Sequence, residues 1–390
     1  MSALRPLLLC AALATALPAL AVPGVDEPPL PGAPRALALP AIEEARLDNW
    51  LRLIVVPRPQ LPLVSVALHL RPGANAEPDG RAGLSSLTAQ LRSKGARHGG
   101  QDLGAIALAQ QAEALGSSLD SGSSRGGHTT SMTVIKPHLG EALSLVCDVV
   151  RHPLLQAEEL ERLRAQVADS LKLPLADPMQ LASLIASRSA WGDSVFGATT
   201  TPASLARITL ADVRAFQQRQ ARPDQATLVM VGDVTLAEAR RLAEQALGDW
   251  RAGDAPALVA RAEPPQPQTA RTLLVNMPGA GQSGVVVTAP AVAADAPERR
   301  VAQVATAVLG GGYSARLGSE LRIKRGLTYG ASAGQDSQVS GGILKAAAQT
   351  KPSSAAEVAQ VTADEMQRLG REAPGAEELA ARSEEHTSEL

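Results

Sequence analysis

Aromatic side chains are almost missing from this sequence: three Trp, two Tyr and two Phe make up 2% of its 390 residues. So few rings leave little for stacking nucleobases or sugars and throw the packing onto Ala, Leu and Val. Cysteine is as scarce, with only Cys10 and Cys147, which excludes a disulfide framework. Neither sign of charge dominates: 37 Lys and Arg against 39 Asp and Glu leave a net charge of −2, so no overall field draws the chain to nucleic acid or anionic lipid. Beyond the N-terminal segment no apolar run approaches the ~20 residues of a membrane-spanning helix. What is present suits a globular chain, because 45% hydrophobic and 19% charged residues can bury a sizeable aliphatic core. At roughly 100 to 200 residues per domain, the length argues for two domains or one large one.

The ends read differently from the middle. Residues 1–21 have the parts of a secretory signal: Arg5, an apolar stretch from Leu7 to Leu17, and the small-x-small site Ala19-Leu20-Ala21. The expected location is therefore periplasmic or secreted. A lipoprotein reading of Cys10 is set aside, since Leu9 stands where a small residue is needed. Removing the signal leaves Cys147 alone, so no intrachain disulfide can form, and it reads as a small buried hydrophobe. Residues 22–44 form a Pro-rich leader. The last stretch, residues 382–390, breaks the Ala-rich pattern before it, resembles a translated sequencing adapter and reads as a non-native tail; the natural chain is then expected to continue past Ala381.

Between these ends an order of elements repeats. Strand patterns at Leu61–Leu70, Thr130–Ile135 and Ala226–Val231 alternate with helical spacing at Gly80–Ser93, from about Pro137 to Val150, Gln156–Leu173 and Leu236–Leu247. Residues 45–250 make a first domain and the Ala-, Pro- and Gln-rich residues 251–270 a linker. Residues 271–381 then repeat the theme, with a strand at Gly284–Thr288 and a helix at Arg299–Leu309. Lys136-Pro137 followed by Glu158-Glu159-Leu160 is echoed by Lys351-Pro352 and Glu377-Glu378-Leu379. The echo predicts two copies of one α+β unit, each an antiparallel sheet with helices on one face, the second incomplete.

Several motifs fall in a fixed order: Trp191-Gly192-Asp193-Ser194-Val195-Phe196-Gly197, Ser204-Leu205 with Ile208-Thr209, Val231-Gly232-Asp233, Gly248-Asp249-Trp250, and Leu309-Gly310-Gly311-Gly312-Tyr313-Ser314-Ala315-Arg316-Leu317 running into Glu320 to Tyr329. Over Leu47 to Ala381 this series resembles the pitrilysin/insulinase-type zinc metallopeptidases, including bacterial relatives of the mitochondrial processing peptidase. The resemblance implies a LuxS/processing-peptidase type of metallohydrolase fold. It also implies where a metal site belongs. Catalytic members carry H-x-x-E-H on the first helix, two His at i and i+4 binding zinc and a Glu activating its water. Here Ser86 and Gln90 stand for the histidines and Ala89 for the general base. Neither a hydroxyl nor an amide replaces imidazole, and a methyl takes no proton. Asp169 is the single carboxylate where the family's third ligand lies. His69, His98, His128, His138, His152 and His386 never pair at i, i+4 or flank a usable Glu, so surface or capping roles are expected of them. No metal or other cofactor is expected in this chain. A serine nucleophile at Ser85 or Ser86 lacks the G-x-S-x-G elbow and a recognisable partner His, leaving both as helix residues.

The second half keeps what resembles the family's substrate-binding pair, Arg322 and Tyr329. Arg322 would end a helix, Gly326 would make a left-handed turn, and Tyr329 would sit on the next strand. Together they could hydrogen-bond a peptide carbonyl and the oxyanion formed on attack. Without the resemblance, a helix-ending Arg is commonly just solvated and a strand Tyr commonly core. Gly310, Gly311 and Gly312 would let a peptide lie close, or simply turn the chain, and they lack the Gly-Lys context of a phosphate loop. The implied function is a subunit inactive by itself, completing the site of a homologous H-x-x-E-H-bearing partner that holds the zinc and cleaves peptides. The alternatives are a structural protein and a peptide-binding protein with no part in catalysis.

Overall fold

The structure is a computed structural model that describes residues 39–265 and 269–380. The expected signal peptide, most of the Pro-rich leader and the expected tail lie outside the described residues. In chain order the elements are β1 (Glu43–Arg46), β2 (Arg52–Pro57), β3 (Leu63–Leu70), α1 (Leu84–Arg92), β4 (Gly95–His98), β5 (Gln101–Gly104), α2 (Ala105–Ala114), β6 (Asp120–Ser123), β7 (His128–Ile135), α3 (Leu139–Arg151), α4 (Ala157–Ser170), α5 (Lys172–Ala176), α6 (Pro178–Trp191), α7 (Pro202–Ala206), α8 (Leu210–Gln220), β8 (Ala226–Gly232) and α9 (Leu236–Leu247). A second lobe follows: β9 (Ser283–Ala291), α10 (Arg299–Gly310), β10 (Thr328–Gln338), β11 (Gly341–Thr350) and α11 (Ala355–Arg371). The leader reaches less far than its proline content suggests, because Glu43 and Glu44 already pair with Val55 and Ile54 in the first sheet.

The first lobe is a six-stranded sheet ordered β1-β2-β8-β3-β7-β6. It is antiparallel except for the pair β2–β8. Period-two alternation places Leu53, Val55, Val64, Val66, Leu68, Met132, Val134, Leu228 and Met230 on one face, where they pack against α3 and α9. Cys147 of α3 lies in this core, and burial pushes its thiol up, so it packs as a small hydrophobe. Gly232 ends β8 at φ +139, where a Cβ would lie 2.0 Å from the Leu63 carbonyl oxygen. Only glycine lets β8 approach β3 so closely, which explains the Val231-Gly232-Asp233 motif.

A second cluster joins α1, α4 and α8 through Leu84, Leu87, Leu91, Leu160, Leu163, Val213 and Phe216. Thr209 caps α8 in a reciprocal capping box with Asp212. In the second lobe the sheet order is β10-β11-β9, with α10 and α11 beside it and a core of Leu309, Leu317, Leu321, Ala346 and Val358. Arg316, only 8% exposed, makes a two-pronged bond to Glu378 at 2.8 and 2.9 Å.

The lobes are joined by more than a linker. Helix α6 lies in the first-lobe sequence range but packs on β9 and β11 of the second lobe, where Lys345 donates to the Ser187 hydroxyl at 2.7 Å. Trp191, fully buried, and Phe196 have ring centroids 5.0 Å apart and cluster with Ile343. Gly197 has no room for a Cβ, which would sit 2.3 Å from the Gly192 carbonyl oxygen. The tryptophan motif is thus the seam between lobes. The segment after Trp250 has no helix or strand before Ser283 among the described residues, yet Arg261 binds Asp79 and Glu263, and Ser340 donates to the Glu263 carbonyl.

Candidate functional site

Helix α1 begins at Gly83, whose left-handed φ of +101 turns the chain inward. The Glu77 carboxylate accepts from the backbone N–H groups of Gly83 at 3.2 Å and Ser85 at 2.7 Å, capping the free helix end. Burial raises the Glu77 carboxyl to about 7, against those two hydrogen bonds that pull it down. On the exposed side of α1, Ser86 and Gln90 meet as neighbours one turn apart, the Gln90 amide donating to the Ser86 hydroxyl at 3.0 Å. Ala89 is fully buried. Asp169, on α4, is exposed and pairs with Lys172 at 2.7 Å. Among the described residues no group of three or more His, Cys, Asp or Glu side chains could hold a metal ion. The helix has the right place and pitch for a metal but a hydroxyl, an amide and a methyl for donors, so zinc does not fit it.

Behind α1 the structure corrects one expectation. His128 of β7 is fully buried, neither on the surface nor capping a helix, and its Nε2 lies 2.7 Å from Ser85 Oγ. Ser85 therefore does have a partner His, brought from 43 residues away by the β6–β7 pairing, a relation that residue spacing does not contain. Ser85 is itself fully buried and also bonds Ser123 at 2.7 Å, and its ring partner stacks on Phe216 at 5.8 Å. Burial, then the nearby Arg92 and His69 charges, hold His128 well below the usual imidazole range, so it stays neutral. No substrate reaches a hydroxyl at zero exposure, and the pair serves packing. Arg92, also fully buried, bonds Gln217 and Gln220 of α8 at 2.6 Å each. Of the other expected surface histidines, His69 bonds Thr129 at 3.0 Å and His98 pairs with Asp148 at 2.8 Å.

In the second lobe the expected trio is assembled as the turn chemistry requires. Arg322 lies in the π-helical segment Gly318–Lys324, a wider turn than an α-helix makes, Gly326 takes φ +62, and Tyr329 follows at the start of β10. The β10–β11 register slips between Thr328 and Ala331, and the Thr328 hydroxyl holds this bulge by bonding Gln349 O at 2.6 Å and accepting from Gly330 N–H at 3.1 Å. A bulge re-aims its side chain, and Tyr329 is 86% exposed. Arg322 Nη1 donates to the Tyr329 carbonyl oxygen at 2.5 Å, leaving the phenol free of any hydrogen bond among the described residues.

Tyr313 is the member that the motif reading passed over. Its exposed ring lies 4.5 Å from the Arg322 guanidinium carbon. The chain's two tyrosines thus flank one arginine, and their scarcity was the available signal. Gly310 and Gly311 serve the chain's own packing: a Cβ at Gly310 would lie 2.4 Å from Ala333 N of β10, and one at Gly311 2.7 Å from Ala307 Cα. Gly312 is half-buried and accepts from Ala315 N–H.

Two family profiles match this chain, one described as insulinase, peptidase family M16, over residues 52–185 and one as peptidase M16 inactive domain over residues 207–384. The chain belongs to peptidase family M16. With Ser86, Ala89 and Gln90 on α1 it is a non-catalytic member of M16. Among curated M16-like relatives, it is 22% identical to an uncharacterized zinc protease of Streptomyces coelicolor, over 83% of this chain and 71% of that protein. It is 24% identical to the non-peptidase homolog YmxG of Helicobacter pylori, over 69% of this chain and 61% of that one. A crystal structure of a peptidase M16 inactive domain from Pseudomonas fluorescens shares its fold, with TM-score 0.82, 24% identity and coverage of 90% of this chain and 84% of that one. The M16 fold accounts for the two-lobed α+β architecture.

Proposed function

We propose that this chain is the non-catalytic subunit of a heteromeric M16 peptidase, supplying Arg322 and Tyr329 to peptides cleaved at the zinc of a homologous H-x-x-E-H-bearing partner. One observation carries the reading: an exposed guanidinium, fixed by the Tyr313 ring and the Tyr329 carbonyl, survives in a chain whose α1 has no metal donors. A fixed guanidinium with four N–H groups, and a phenol, all unpartnered among the described residues, can bind the carbonyls of an extended peptide. Gly312, beside Tyr313, would lie along such a peptide. The signal-like N-terminus supports a periplasmic or secreted setting.

The test is reconstitution of the mature chain with an M16 homologue bearing H-x-x-E-H. Each protein alone should hydrolyse peptides weakly or not at all, and mixing should restore activity. In the mixture Arg322→Ala should lower kcat/KM about 100-fold, the scale of a lost oxyanion donor. Stoichiometric zinc and peptide hydrolysis by this chain alone would sink the proposal. Unchanged rates with Arg322→Ala and Tyr329→Phe would leave it a scaffold.

A further inference from the structure

A concave site lies in the first lobe and shares no residue with α1 or the second lobe. It is a cavity of about 540 Å³ lined by Glu44 and Arg46 of β1, Trp50, Arg52 of β2, Arg71 and Asp224 among others. Three guanidiniums meet two carboxylates there, and the ion pairs are unevenly shared. Arg52 binds Glu44 at 2.7 Å, and Asp224 is taken by Arg222 at 3.1 Å. Among the described residues Arg46 and Arg71 form no ion pair. Arg46 also stands directly opposite Arg52 in the β1–β2 register, an unfavourable placement for like charges unless an anion comes between them.

Trp50 gives the cavity an apolar wall under unusual constraint. It occupies the β1–β2 turn at φ +73, a conformation that glycine or asparagine takes far more readily. The turn is anchored by the Asn49 amide, which donates to the carbonyls of Leu247 at 2.7 Å and Trp250 at 3.1 Å. Yet the indole is 66% exposed, with the Arg46 guanidinium 6.0 Å from its ring. An exposed Trp beside unpaired Arg is the composition of interface hot spots, and a polar lining differs from the apolar walls of small-molecule sites. The two lining carboxylates disfavour a dianionic phosphate more than singly charged carboxylates.

We propose that this cavity docks an acidic segment of a partner polypeptide, with carboxylates on Arg46 and Arg71 and an apolar side chain on the Trp50 indole. This surface stands whether or not Arg322 serves a peptidase, because its test uses this chain alone and no hydrolysis.

Trp191 and Trp250 are 0% and 6% exposed, so quenching of indole fluorescence by neutral acrylamide reports chiefly on Trp50. A synthetic peptide alternating Glu and Leu should protect that fluorescence saturably, and calorimetry should give a matching Kd that weakens with added salt. Arg46→Ala and Arg71→Ala should each weaken binding about tenfold, with melting temperature unchanged. Trp50→Gly should weaken binding while holding or raising the melting temperature, since it relieves the left-handed backbone; a folding defect would do the opposite. Arg299→Ala, in the other lobe, should bind as wild type. Equal binding of a Lys-Leu peptide, equal protection by free glutamate or inorganic phosphate, or no saturable protection would each overturn the proposal.

Discussion

Arg322 owes its aim to two neighbours, and the weaker contact is the easier to remove. An exposed cation–π contact is worth roughly 0.5–1 kcal/mol, so Tyr313→Ala should lower kcat/KM of the reconstituted peptidase about two- to fivefold, with Tyr313→Phe near wild type. Glu77 offers a pH test in the first lobe. Burial raises its folded pKa from 4.5 to about 7, so the folded state binds more protons than the unfolded one across that interval. Its contribution is therefore full below the unfolded pKa and lost as pH rises through the folded one. Urea unfolding should show stability falling by about 3 kcal/mol from pH 4.5 to above 7 because of this group, a decline flattened in Glu77→Gln. An unchanged slope in that variant would remove Glu77 from the account.

The helix-to-turn element after α10 depends on space more than on charge. A methyl at Gly310 would collide with the backbone of β10 at Ala333, and the strand would have to move. Gly310→Ala should destabilise the protein by about 1–3 kcal/mol, read as a lower denaturation midpoint with unchanged slope. The same element orients Tyr313, so the variant should also blunt the effect of Arg322. In the first lobe, α1 keeps its cap, its Leu84–Leu87–Leu91 stripe and its Arg92 anchor although its metal donors are gone. Packing maintains a helix independently of the chemistry that its outer face carries.

Across the whole molecule, the seam between lobes combines the Trp191–Phe196–Ile343 cluster with an ion pair, Arg125 to Asp336 at 2.6 Å. Burial alone would raise the Asp336 carboxyl, but the hydrogen bond and charge of Arg125 outweigh it and hold the pKa below the usual range. Stability from a depressed carboxyl is present above its unfolded pKa and is lost as pH falls through the folded one. Arg125→Ala should weaken lobe docking by about 1 kcal/mol. Faster proteolysis within residues 251–270, with the first-lobe core still protected from hydrogen exchange, is the expected readout.

Local order in the sequence was enough for the repeat, most strands and helices, the donor-free face of α1, and the Arg322–Gly326–Tyr329 turn. Each depends on periodicity or on neighbours within a few residues, which side-chain chemistry encodes directly. Other relations required the chain to be folded. Examples are the parallel placement of β8 between β2 and β3, the Ser85–His128 contact, α6 crossing to the other lobe, Tyr313 under Arg322, and Trp50 sharing a cavity with Arg46 and Arg71. These pairs are set by which surfaces remain to be buried once the helices and strands exist, and that choice is made by three-dimensional packing rather than by spacing along the chain.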